Sequence, residues 1–500
     1  VRARVTLAFL CACICARPQD LGEVNFRTSA GPAAQKQFLK GLLELHSFEY
    51  DDAREDFQAA RATEPGFAMA YWGEAMTYNH PLWGEQDTTA ARAALKKIPA
   101  GARMDPRERL YVNAVRTLYG DGSQARRDAA YAEAMHGIYE KYPADADAAC
   151  FYALSLLGAT EGKRDTAVYM RAAAILEDVF KEHPRHPGAA HYLIHSYDDP
   201  EHAHLGLAAA RVYASIAPAA EHAQHMPSHI FFALGMWDDA VASNETSWSV
   251  SEARVTRKKL GVEELGYHAL SWLEYAYLQQ GRYQDARRVL GIMEENARRS
   301  NATRVRGSMI FMRAAYLAET GQWTSPVQTV STDGLSAGAR ATDQFINALA
   351  KLQTGSIAGP EDVIRRLRAG SPGAQAMGGQ LESALRMKEG KVEDALAAAA
   401  SAAEKEDRLN YEFGPPFPVI PAHEFYGEML LRAGRTKDAA KQFALALRRA
   451  PGRAHSLLGL ARTGDKDALE KLKQNWRRAD AEVKDPVLAE FRSSPDGRTN

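Results

Sequence analysis

The 500-residue sequence predicts an all-α fold, a right-handed superhelix of antiparallel helix pairs, on three observations. Alanine is abundant, aromatics are regularly spaced and β-branched runs are few, a composition that favours helix over strand. The spacing Gly41…Ala53-xxx-Phe57-xx-Ala60-xxxx-Pro65 returns near the C-terminus as Ala439-xxx-Phe443-xx-Ala446-xxxx-Pro451. Pro184 and Pro218, each closing a further helical stretch, lie 34 residues apart. Small residues belong where two helices cross closely, a large ring fills the gap, and proline ends the second helix.

In chain order, residues 1–16 read as a secretory leader. Arg2 and Arg4 precede Val5–Ile14, an apolar run too short to span a bilayer. Leu10-Cys11-Ala12-Cys13 resembles the bacterial lipobox, which implies lipidation of Cys13 and a membrane tether; ordinary cleavage nearer Ala16 is the alternative. Either route makes the protein exported, periplasmic or held in the cell envelope. Residues 17–32 form a short linker, 33–250 a first repeat array and 251–463 a second, with 464–500 a polar helical cap and tail. Turns before second helices show as Gly235-Met236-Trp237-Asp238-Asp239-Ala240, Gly281-Arg282-Tyr283-Gln284-Asp285-Ala286 and Gly390-Lys391-Val392-Glu393-Asp394-Ala395. Pro143 closes another unit. Residues 251–266, with Arg254, Arg257, Lys258 and Lys259, lengthen one unit and are placed to pack over the groove. Four prolines within 411–421 preclude helix and impose an extended, semi-rigid loop.

Bulk composition excludes some functions. Lys+Arg 62 against Asp+Glu 63 gives no argument for nucleic acid or a charged membrane surface. Cys150 alone lies outside the leader, which rules out a disulfide framework and Cys-rich metal sites. No later run approaches eighteen apolar residues, so the mature chain is not expected to cross a membrane.

The two terminal motifs resemble the tetratricopeptide (TPR) repeat. That resemblance implies stacked helix pairs around a concave groove, in which the second, fifth, ninth, twelfth and thirteenth positions of each first helix line the groove. Nine of the 15 histidines fall between residues 183 and 229. With a unit starting at Pro187, His191, His195, Asp198 and Asp199 take the fifth, ninth, twelfth and thirteenth positions. With the next starting at Glu221, His222, His225 and His229 take the second, fifth and ninth. The same register puts His46, Asn79, His80, His268, Tyr275, Glu424 and Glu428 at groove positions.

Within each segment the histidines are three or four residues apart and share a helix face. Imidazole is the commonest protein ligand for transition metals, and packed helices roughly 8–10 Å apart let rings from both sides meet one ion. His191, His195, His225 and His229 are the leading ligands, with His222 a ligand or a supporting partner. The expected cofactor is a divalent transition metal, Zn, Cu or Fe. Asp198 and Glu424 are candidates for handling protons; Glu424 and Glu428 read equally well as solvated glutamates.

Other residues have plainer readings. Asp199-Pro200-Glu201 is a helix start with Asp199 as its cap. His202 and His204 belong to a helix surface, His183 and His186 to a solvated turn, and His136 and His455 to structure. Pro227 either kinks a helix between His225 and His229 or begins a new one.

The stretches His191-Tyr-Leu-Ile-His195 and His225-Met-Pro-Ser-His-Ile-Phe231 resemble those of exported bacterial TPR proteins. The resemblance implies fold and export but no particular activity. Five histidines and a carboxylate exceed the four ligands of one closed tetrahedral site, which suits an open site or two nearby metals. The leading function is a metal-binding groove, as a hydrolase or oxidoreductase acting on a peptide or small molecule. The alternatives are a non-catalytic envelope scaffold contacting a peptide partner, and metal storage or delivery.

Overall fold

The computed structural model describes residues 20–160, 162–356, 359–410 and 414–491. The expected leader, with Cys13, lies outside the described residues. Among the described residues helix follows helix, mostly across short turns, in an all-α, TPR-like superhelix whose one two-stranded pairing joins Asn79–His80 to Glu85–Gln86. No described helix is long and apolar enough to cross a membrane.

The repeat motif works as its spacing predicts. Phe57, on helix Tyr50–Thr63, is fully buried with Ala53 and Ala60. It fits because Gly41 and Gly73, on the helices to either side, carry no side chain: a Cβ on Gly41 would meet the ring at 3.1 Å, and one on Gly73 closer still. Phe443 repeats this on helix Thr436–Arg449, seated between Gly427 and Gly459. The turn signature is equally literal. Gly235 (φ 67°) and Gly281 (φ 65°) take the left-handed conformation that ends one helix before the next begins at Trp237 or Tyr283.

Two segments differ from expectation. Residues 20–31 are packed rather than loose: Phe26 is 1% exposed against Phe38, Trp72 and Tyr111, and Glu23 N–H donates to the Arg185 carbonyl at 2.9 Å. An apolar residue every few positions suffices to seat an extended strap on helix ends. Residues 251–258 continue helix Trp237–Lys258, which Lys259 ends in a left-handed cap (φ 56°). Its last turn does not lie over an open groove. Arg254 Nε (3.0 Å) and Lys258 Nζ (2.8 Å) both reach Asp52 on the second helix of the first unit. The superhelix therefore curls tightly enough for residues about 200 apart in sequence to meet, and its inner face is closed by its own first hairpin.

Candidate metal centre

Helix Pro187–Tyr197 starts on an N-cap, where His186 Nδ1 accepts from Ala189 N–H at 3.3 Å and Pro187 opens the first turn. Every residue of this helix is buried. His191 and His195 are therefore interior rather than groove-lining, at 0% and 3% exposure. Gly188 makes room for the His46 ring, which a Cβ there would overlap. At Pro227 the second of the two alternatives holds: helix Glu221–His225 is followed by helix Pro227–Ala233. Met226 between them keeps helical angles, so His225 and His229 stay one turn apart with ring centroids 5.1 Å apart.

The histidines form two triads. In the first, His191, His195 and His222 offer ligand atoms all within 4.8 Å of one another; in the second, His225, His229 and His268 do the same. The triads adjoin, with His195 and His229 rings 5.2 Å apart and His222 and His225 rings 6.0 Å apart. Asp198 stands between them, accepting from Nδ1 of His195 at 3.3 Å and of His229 at 3.2 Å through the same Oδ2. Its other oxygen accepts from Arg164 Nη1 at 2.8 Å.

The remaining supports are also oxygen acceptors. His191 Nδ1 donates to the His46 carbonyl at 2.7 Å and His225 Nδ1 to Asn244 Oδ1 at 2.6 Å. Asn244 donates its amide to the Ala240 carbonyl, which fixes the orientation of its oxygen. A carbonyl can only accept, so His191 and His225 carry their proton on Nδ1 and leave Nε2 basic, as in metal-ligating histidines. Nε2 of His191, His222 and His225 is buried without a hydrogen-bond partner. Burial, then neighbouring imidazoles, pushes the pKa of these three rings well below the usual histidine value, so they are neutral and able to ligate. Asp198 is buried, which alone would raise its pKa, but His195, His229 and Arg164 hold it below the usual carboxylate range.

Access differs between the triads. Phe48 lies over the first, its ring 4.3 Å from His191 and 5.6 Å from His222, with Trp83 6.3 Å from His222. The second keeps an exposed edge at His268. The repeat register puts His268 at a groove position without marking it as a ligand, because a lone histidine gives no cluster signal.

Several expectations are corrected. Glu424 is not brought to the histidines. Arg453 grips both its oxygens at 2.7 Å and Ser456 Oγ donates at 2.6 Å, while Arg453 also reaches Tyr275 and Glu319. Buried and held below its usual pKa by Arg453, Glu424 is a strut, not a base. Asp198 faces imidazole Nδ1 atoms and Arg164, so its geometry is that of a positioning carboxylate rather than a proton carrier. His186 is not solvated. It is 2% exposed, beside Asp147 (3.4 Å) and Cys150 (3.8 Å), and His46 Nε2 meets the same Asp147 oxygen at 2.9 Å. Asp199 does accept from Glu201 N–H and His202 N–H as a cap, although the regular helix begins later, at Ala203. His202 is tied to Asp199, and His204 is exposed.

No family model and no curated protein matches this sequence. Among solved structures the chain is similar to the APC/C hetero-tetramer Cut9-Hcn1, at 12% identity and TM-score 0.37, covering 77% of this chain and 75% of that one. It is also similar to a monomeric mutant of IFIT1 with Gppp-AAAA, at 12% identity and TM-score 0.38 over 89% and 94%. Yeast Tom70 matches at 11% identity and TM-score 0.27 over 93% and 97%. The class defined by fold and site is an all-α, TPR-like superhelix with histidine and aspartate clusters that could hold a metal ion.

Proposed function

We propose that this protein binds transition-metal ions at two adjoining three-histidine sites, His191/His195/His222 and His225/His229/His268, with Asp198 orienting one imidazole of each. The observation that carries this reading is the pairing of two imidazole triads, each with its ligand atoms within 4.8 Å. Small inward shifts of the rings would bring them to metal–nitrogen bonds of about 2.0–2.1 Å. Unpartnered ring nitrogens among them also favour a ligand over a plain buried core. Each buried polar atom left without a partner costs about 1–3 kcal/mol, and Nε2 of His191, His222 and His225 are three such atoms in one place. Neutral imidazoles suit Zn, Cu or Fe, and three ligands per ion leave a position for water or substrate. A bound ion would supply Lewis-acid or redox chemistry there. We also propose export, with Cys13 as a lipid attachment point, on the strength of the leader sequence alone.

The test is elemental analysis of protein purified without a histidine tag, together with a His195→Ala/His229→Ala variant. About two equivalents per chain are expected, falling below one in the double variant. Near-zero metal in the wild-type chain after incubation with Zn, Cu(II) or Fe(II) would sink the reading. It would leave the scaffold that binds a peptide or small molecule.

A further inference from the structure

A cavity of about 240 Å³ lies between helices Tyr267–Gln279, Thr303–Thr320 and Ala337–Gln353 and the proline-rich loop. Its walls include Trp272, Tyr275, Phe417 and Pro416. Phe311 also lines it and is 41% exposed, so the cavity opens to solvent on that side. Polar side chains line it as well: Ser271, whose hydroxyl donates to the His268 carbonyl, and Glu274 and Thr342, both at 0% exposure. Neither Glu274 oxygen has a hydrogen-bond partner, and neither does Thr342 Oγ1. Elsewhere this protein pairs its buried carboxylates: Glu424 has Arg453 and Ser456, and Asp198 has two imidazoles and Arg164. Among the described residues Glu274 is the buried carboxylate with both oxygens unbonded.

We propose that this cavity binds an ammonium group carried on a short alkyl chain, with Glu274 as its counter-ion, Thr342 as an acceptor, and Trp272, Tyr275 and Phe417 as an aromatic wall. A desolvated carboxyl facing apolar surface is costly when charged and unpaired, and an entering cation removes that cost. Aromatic faces add attraction for a cation that they do not offer to a neutral ligand. An anion would meet no cationic partner among the described residues that line the cavity, and a purely apolar ligand would leave three polar atoms unsatisfied. In the empty cavity burial raises the Glu274 pKa well above the usual carboxylate value, so binding a cation expels a proton. Arg287, on the adjacent helix Tyr283–Arg299, is the charged group that opposes this rise, and its guanidinium is itself bonded to Glu294 at 2.9 Å. Tyr316 is the titratable neighbour on helix Thr303–Thr320 that feels Glu274.

The site does not depend on the metal reading, although Trp272 also touches His225 and His229, with ring centroids 4.8 and 4.6 Å away. Calorimetric titration of the full-length protein, as purified, with n-butylammonium and with 1-butanol tests it. The amine is expected to bind at least about tenfold more tightly than the alcohol. Amine binding should release protons at pH 7, seen as a dependence of the heat on buffer ionisation. Glu274→Gln, which keeps the shape of the neutral acid, should lose that preference and the proton release. Nα-acetyl-lysine methylamide as a third probe identifies the source: binding tighter than butylammonium points to a lysine side chain, and weaker binding to a small amine. Equal affinity for amine and alcohol, or an amine affinity unchanged in Glu274→Gln, overturns the proposal. Absence of heat with every probe does so too.

Discussion

Asp198 shows how one side chain ties the two histidine triads together. Its Oδ2 accepts from imidazoles on two separate helices while Arg164 anchors the other oxygen, so neither ring can turn without breaking a buried contact. Such supports raise ligand basicity, and their loss typically costs 10–100-fold in metal affinity. Asp198→Asn is therefore expected to weaken binding by roughly 10–100-fold with the number of ions per chain unchanged, measured by competition against a chromogenic chelator. Wild-type affinity in that variant would remove Asp198 from the role. At this scale the sequence was informative where residues repeat at helical spacing: the five expected histidines all enter the triads. It put His268 at a groove position without marking it as a ligand, and it was silent on the acceptors His46 O and Asn244, which only tertiary packing brings near. His186 misled because the flanking Pro184 and Pro187 read as an exposed turn; residues 183–185 are indeed exposed, but the His186 ring turns inward to cap the next helix beside Asp147.

Among the helices, the packing follows from absent side chains as much as from present ones. Gly73 sits where a Cβ would overlap the Phe57 ring, with no slack because Gly41 presses the ring from the other side. Gly137, on helix Gln124–Lys141, meets nothing within 4 Å and is exposed. Gly73→Ala should cost about 1–3 kcal/mol as an overpacked core position, while Gly137→Ala should stabilise by about 0.5–1 kcal/mol through helix propensity. Urea denaturation of the two variants gives the comparison, and equal effects of the same sign would contradict the packing. Helix ends at Pro65, Pro143, Pro184, Pro218 and Pro451 were legible because proline and the left-handed glycines punctuate locally. The strand pair at Asn79–His80 was not, being too short to leave a period in the sequence.

Across the molecule, the curl of the array converts a groove into an interior. Asp52 holding Arg254 and Lys258, and the His46 carbonyl holding His191, draw the first hairpin over the histidines. Burial then holds His191, His222 and His225 well below their ordinary pKa. The sign follows from linkage. A histidine with a depressed folded-state pKa takes up its proton more readily when unfolded, so its contribution is complete above about pH 6.5 and is lost as pH falls below that value. The contribution of these three rings to the thermal midpoint of metal-stripped protein should therefore be constant from pH 8 to about 6.5. Below that the protein should destabilise by up to about 1.4 kcal/mol per pH unit per histidine, followed by calorimetry. A midpoint that stays level down to pH 5 would contradict burial of the rings. None of this closure was readable from repeat spacing, which specifies neighbours in the stack but not contacts between residues some 200 positions apart.

Phe48 over one triad and the uncovered edge at His268 on the other have a consequence for loading. Ions at the two positions would be inequivalent: the outer one could exchange with the medium while the inner one is retained. Such a pair could hold two different elements at once, the inner acquired during folding and the outer chosen later by supply.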